Sequence, residues 1–212
     1  MNNAKMVKRA LKLLHKSVPT LRMGYDFLFV PPVEHILRCF TFETSFGMKG
    51  MAYFWRAIIP LYRPSPFLIL NYADRLLGGE RVSLLESELD QTIDRSVHVI
   101  SQGELDYLKE IQNPQDFLQQ IDWGCLPSTP NYRVDLALTQ YMTGNAPACL
   151  EILEQVVSAK FSPRWANSVR LAQELVEELK VNPSAIDQRI KAWEERNIGW
   201  FHLTPRSRRR AQ

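Results

Sequence analysis
Residues 36–62, ILRCFTFETSFGMKGMAYFWRAIIPLY, hold two long apolar and aromatic runs separated by six residues of loop composition, and they decide the fold. Residues 36–44 and 51–62 are rich in side chains that fit a pleated surface, so an antiparallel hairpin turning through residues 45–50 is expected. Closing it with Thr44 opposite Met51 sets Phe42 across from Tyr53 and Phe40 across from Trp55. Upstream, residues 25–30 read as a first strand that Pro31-Pro32 must break. Downstream, beyond Arg63-Pro64-Ser65-Pro66, residues 67–73 read as a fourth. With Tyr62 opposite Phe67, the side chains of Leu61, Ile59 and Ala57 face Leu68, Leu70 and Tyr72. Both turns then give one apolar face bearing Phe40, Phe42, Tyr53, Trp55, Leu68 and Leu70. A slip of one residue would turn every one of them to the other side.

Around this meander the period changes. Val7, Leu11, Leu14 and Val18 recur at three- to four-residue steps, which predicts an amphipathic helix that Pro19 ends and that packs on the sheet. Its lysines would also suit a membrane surface, but it is short and has no Trp or Phe. Beyond residue 80 the apolar period is helical throughout, with starts expected near 83, 101, 113, 132, 146, 163 and 183. Ser83 with Glu86 and Ser101 with Glu104 read as capping boxes, and Asn113-Pro114, Ser162-Pro163 and Asn182-Pro183 as caps followed by proline. The expected class is therefore α+β: an N-terminal helix, an antiparallel four-strand meander, then a helical C-terminal half. Expected divisions are an α+β domain over 1–124, a helical hairpin subdomain over 125–204 and a disordered basic tail over 205–212.

Charge divides along the same line. Residues 1–79 carry eleven Lys/Arg against four Asp/Glu, and residues 80–124 carry three against ten. The tail Arg206, Arg208, Arg209 and Arg210 accounts for more than the whole net charge of +3, so nucleic-acid binding is expected only weakly and only through it. Cys39, Cys125 and Cys149 are far apart, odd in number and not in CxxC pairs, which fits reduced thiols in a cytoplasm. Lysines threaded through the first helix argue against a signal peptide, and no apolar run reaches the ~20 residues of a membrane span.

Chemistry is sparse. His15, His35, His98 and His202 lie in no metal or nucleophile motif, and GxGxxG, GxxxxGKS and GxSxG are absent. His35 and Cys39, four residues apart on a strand, would be separated by about 13 Å, too far to share a proton. No catalytic residue, cofactor or metal is expected, although carboxylates converging from distant positions leave an enzyme of unrecognised type open. Two surface features remain. Glu86, Asp90 and Asp94 recur every four residues with Glu88 alongside, either as a solvated helix face or as a landing site for a basic partner. Phe46 and Met48 put large apolar side chains at a hairpin tip, either as an anchor for a partner or folded under the first helix. Arg56 interrupts an apolar strand, with Glu43 or Asp74 as its expected partner.

Residues 136–157, with Leu138, Tyr141, Gly144 and Leu150, resemble one tetratricopeptide-type helix-turn-helix. One such unit cannot form a solenoid, so an αα-hairpin packed on its neighbours is expected. The whole layout resembles small bacterial α+β immunity-type proteins of toxin systems. That resemblance implies a non-enzymatic cytoplasmic binding protein whose acidic helices cover a basic toxin site. A helical adaptor, or a component that self-assembles as a homodimer, is the alternative.

Overall fold
The computed structural model describes residues 2–64 and 70–203, and within them the chain forms two compact units. The first takes the described residues of 1–59, 66–111 and 198–212; the second takes those of 60–65 and 112–197. The division thus falls after Ile111, and the chain enters the second unit twice, where the sequence had suggested a single boundary after residue 124. The expected tail, 205–212, lies outside the described residues.

The first unit opens with α1 (Asn3–Ser17), capped by Asn2, whose Oδ1 accepts the Lys5 N–H at 3.0 Å. Met6, Val7, Ala10, Leu11 and Leu14 form its buried stripe. A six-stranded sheet follows: β1 (Arg22–Met23), β2 (Phe27–Phe29), β3 (Ile36–Thr44), β4 (Met51–Pro60), β5 (Tyr72–Arg75) and β6 (Arg81–Ser83). The first five run in meander order, and β6 also pairs with β4. β5 lies along residues 55–58 of β4 and β6 along residues 51–53, with the intervening residues looped out through a left-handed turn at Leu77, Gly78 and Gly79.

The register differs from expectation by one residue. The Ser45 N–H donates to the Met51 carbonyl at 2.8 Å, and the Phe42 ring lies 4.8 Å from Phe54. Phe40 stacks on the same ring at 5.9 Å. Ala52 and Phe54 are therefore fully buried, whereas Tyr53 and Trp55 point to the other face and are half-buried. The cause is the loop. Two successive turns, Met48 N–H to Ser45 O and Met51 N–H to Met48 O, extend it, and Gly47 and Gly50 supply the left-handed φ these need. On the far side, Ala57 pairs with Ala73 and Ile58 with Tyr72, again one step from the expected pairing. Phe67 and Leu68 of the expected fourth strand lie outside the described residues; the observed strand begins at Tyr72.

Two helix starts also differ. Ser83 is the last residue of β6, so its backbone serves the sheet and cannot cap a helix; α2 begins six residues later (Leu89–Val99). Thr92 Oγ1 donates back to the Ser83 carbonyl at 2.7 Å. Ser101 starts no helix, because α2 runs on past Val99 as far as a kink at Gln102 and Gly103, where the backbone leaves helical geometry, and α3 (Leu105–Glu110) begins only beyond it. The Ser101 hydroxyl bonds the Val97 carbonyl at 2.8 Å instead. Helices α1, α2 and α3 belong to the face of the sheet that carries Phe54. There the buried Arg38 donates to the carbonyls of Val30, Pro32 and Leu108. On the opposite face Phe201 meets Phe27 edge-on at 6.0 Å.

The second unit is helical: α4 (Pro114–Gln120), α5 (Pro130–Met142), α6 (Ala146–Ser158), a 3-10 turn (Pro163–Trp165), α7 (Ala166–Val181) and α8 (Pro183–Trp200). Asn113 and Asp116 form a reciprocal capping box ahead of Pro114, as the Asn-Pro pair suggested. The α5–α6 hairpin packs on α7, and Tyr141 bonds the Asp187 carboxylate at 2.9 Å. Residues 60–63 enter this unit as a bent segment held by polar groups. Asn197 Nδ2 donates to the carbonyls of Leu61 and Arg63 at 2.8 and 2.6 Å, and the hydroxyls of Tyr62 and Thr139 meet at 2.7 Å.

Candidate functional site
The hairpin tip stands clear of the fold. Phe46 is 103% exposed and Met48 43%, so the tip does not fold under α1. Its base is fixed from two sides. The Gly50 N–H donates to Asn3 Oδ1 at 3.2 Å, and the Leu84 N–H donates to the Gly50 carbonyl at 2.6 Å. Leu85 lies directly over Gly50, where a Cβ would come within 2.6 Å of its Cδ2, and is itself 43% exposed. Three exposed apolar side chains, Phe46, Met48 and Leu85, thus gather at one end of the unit on a clamped base.

Glu86 and Glu88 follow Leu85 in the turn before α2 rather than on the helix. Glu86 pairs with Arg9 of α1 at 2.7 Å, and this hydrogen bond and charge hold its carboxyl below the usual range. Asp90 and Asp94 lie on α2 and are exposed. They line a shallow groove of about 230 Å³ with Leu13, Lys16, Ser17 and Ile93. The basic first helix and the acidic segment therefore meet inside one unit. The carboxylates do not form the single uninterrupted stripe that their spacing suggested: one is paired with Arg9, and two share a groove with Lys16.

The structure also assembles a surface that the expected register concealed. On the face away from Phe54, Tyr53 and Trp55 of β4 stand opposite Arg81 of β6 and Arg75 of β5. The Arg75 guanidinium lies 3.8 Å from the Tyr53 ring centre and 4.9 Å from that of Trp55. Arg81 Nε donates to the Tyr53 hydroxyl at 2.9 Å, and its Nη1 lies 3.2 Å from Met48 Sδ, which joins this face to the hairpin tip. The available signal was the alternation of Tyr53 and Trp55 with Phe54, which a correct register would have turned outward. Arg56 lies on the Phe54 side, paired with Asp74 and, at 2.6 Å, with Glu104, and stacked 3.9 Å over Tyr107.

The thiols are not poised for nucleophilic work. Burial pushes Cys39 far up and Cys149 to about 12, and the Asp122 carboxylate raises the exposed Cys125 by accepting its thiol hydrogen. Among the described residues, no group of three or more His, Cys, Asp or Glu is placed to hold a metal ion, and no helix is long and apolar enough to cross a membrane. No family model, curated protein or solved structure matches this chain.

Proposed function
We propose that this protein acts by binding another protein, with the hairpin tip as its anchor and the neighbouring carboxylates as its rim. The observation that carries this reading is the full exposure of Phe46 on a base clamped to α1 and Leu85. A large apolar side chain held in water has no role in the stability of its own fold, whereas in a partner's pocket it can supply much of a binding energy. Glu86, Glu88, Asp90 and Asp94 lie beside it or further along α2. They favour a basic partner through the rate of encounter. The partner that fits this combination has an apolar pocket in a basic cleft, such as the active site of a nuclease toxin, and the immunity-type layout supports the same reading.

The test compares proteins retained from host extract by the immobilised wild type and by a Phe46→Ser, Met48→Ser variant. A protein held by the first and lost by the second, with both variants equally stable, supports the proposal. Identical retention on both would remove the tip from any binding role.

A further inference from the structure
Arg75 and Arg81 both lie against one ring. The Arg75 guanidinium is 3.8 Å and that of Arg81 5.6 Å from the Tyr53 centroid, so two like charges are held close together on an exposed face. The carboxylates around them are engaged elsewhere. Glu43 accepts from Trp55 Nε1 at 3.0 Å, Asp74 pairs with Arg56, and Glu80 pairs with Arg95 at 3.4 Å. Arg75 has no acceptor for its guanidinium among the described residues; it touches only the two rings. Stacking on rings fixes the plane of a guanidinium and leaves its N–H edges free, the geometry in which arginine takes a carboxylate with two parallel hydrogen bonds.

We propose that this face binds a short acidic segment of a partner protein, with Arg75 and Arg81 each receiving a carboxylate and Tyr53 and Trp55 forming the floor. The surroundings set the length. The face offers two arginines, and Glu43 lies against Trp55 beside them, so a segment of two or three negative charges is matched and a longer polyanion gains nothing further from this pair. A pair of cations favours a short acidic peptide over a nucleic-acid strand, whose affinity depends on many successive phosphates. The inference stands apart from the hairpin-tip reading, since it concerns different side chains and a partner of the opposite charge.

The test is an NMR titration of the full chain with an acetylated tetraglutamate peptide, following the arginine Nε–H signals. The expected result is saturable shifts at Arg75 and Arg81, weakened at least tenfold in an Arg75→Gln, Arg81→Gln variant whose melting is unchanged. Phe46→Ser should leave the titration as it is, which separates this result from the test of the hairpin tip. Three results would overturn the proposal: no saturable shift at millimolar peptide, equal binding by the double variant, or tighter binding of a twelve-residue oligothymidylate than of the peptide at physiological salt.

Discussion

Arg63 and Asp135 meet at 2.6 Å inside the helical unit, where the Asp135 side chain is only 2% exposed. A charge so placed is tolerated because it is paired, and removing one partner leaves the other stranded in a medium that solvates it poorly. Arg63 also donates to the Asn131 carbonyl at 3.3 Å, which ties residues 60–63 to the start of α5.

Asp135→Ala should therefore destabilise the protein by about 3–5 kcal/mol, whereas an Arg63→Met, Asp135→Leu pair should cost far less. Urea unfolding of both variants checks this. Equal losses would mean that the segment is held by its carbonyl bonds to Asn197 and not by the ion pair.

Phe54 packs between Phe40 and Phe42 and is fully buried, while Trp55 lies on the open face. Phe54→Ala should cost on the order of 3–5 kcal/mol through the cavity it leaves. Trp55→Ala should cost about 1 kcal/mol, as expected for a partly exposed site. Chemical denaturation that ranks the two in the reverse order would restore the register first expected from the hairpin sequence.

Gly47 and Gly50 both have left-handed φ, +75° and +79°, but only Gly50 has a neighbour in the way. Gly47→Ala should cost roughly 1 kcal/mol, the penalty of that conformation alone. Gly50→Ala should cost distinctly more, because Leu85 must also move. Thermal melting of the two single variants separates the effects.

Glu86 titrates low because Arg9 stabilises its charged form. Its folded value lies below its unfolded one, so the contribution is present above about pH 4.5 and is lost as the pH falls through the lower, folded value. Arg9→Gln should bring the carboxyl back toward 4.5, measured by carbon-detected NMR. An unchanged value would show that the pair does not persist in solution.

Of the three thiols, only Cys125 is exposed. A disulfide reagent at pH 8 should label it alone in the native protein, and more slowly than in an Asp122→Asn variant, where the acceptor that holds the thiol proton is weakened. Cys39 and Cys149 should react only on unfolding. Rapid labelling of all three would contradict the buried placement of two of them.

The class of the fold was legible because hairpin composition, helix periodicity and Asn-Pro caps are local signals, and Asn113-Pro114 shows the cap in full. Register was not. It hung on where the Ser45–Gly50 loop closes, and two consecutive turns there shift the pairing by one residue, which exchanged Phe54 for Tyr53 and Trp55 as core residues. The Ser83 capping box failed for a related reason, since a residue already bonded within a sheet cannot also begin a helix, and strand β6 is too short to announce itself. The acidic residues were visible as charges, but the pairing of Glu86 with Arg9 spans 77 positions and leaves no trace in the spacing of either segment.

The Phe27–Phe201 contact, like the bonds from Asn197 to Leu61 and Arg63, joins residues more than 130 positions apart. Such contacts raise the mean separation of partners and slow the search for the native state, because a long loop must close before they return any stability. On a ribosome, the sheet would emerge well before Phe201 and wait, with part of one face uncovered, until that residue had been synthesised. Its open face and edge strand are therefore most vulnerable to wrong partners during synthesis, and a chain halted before residue 197 would leave both units incomplete.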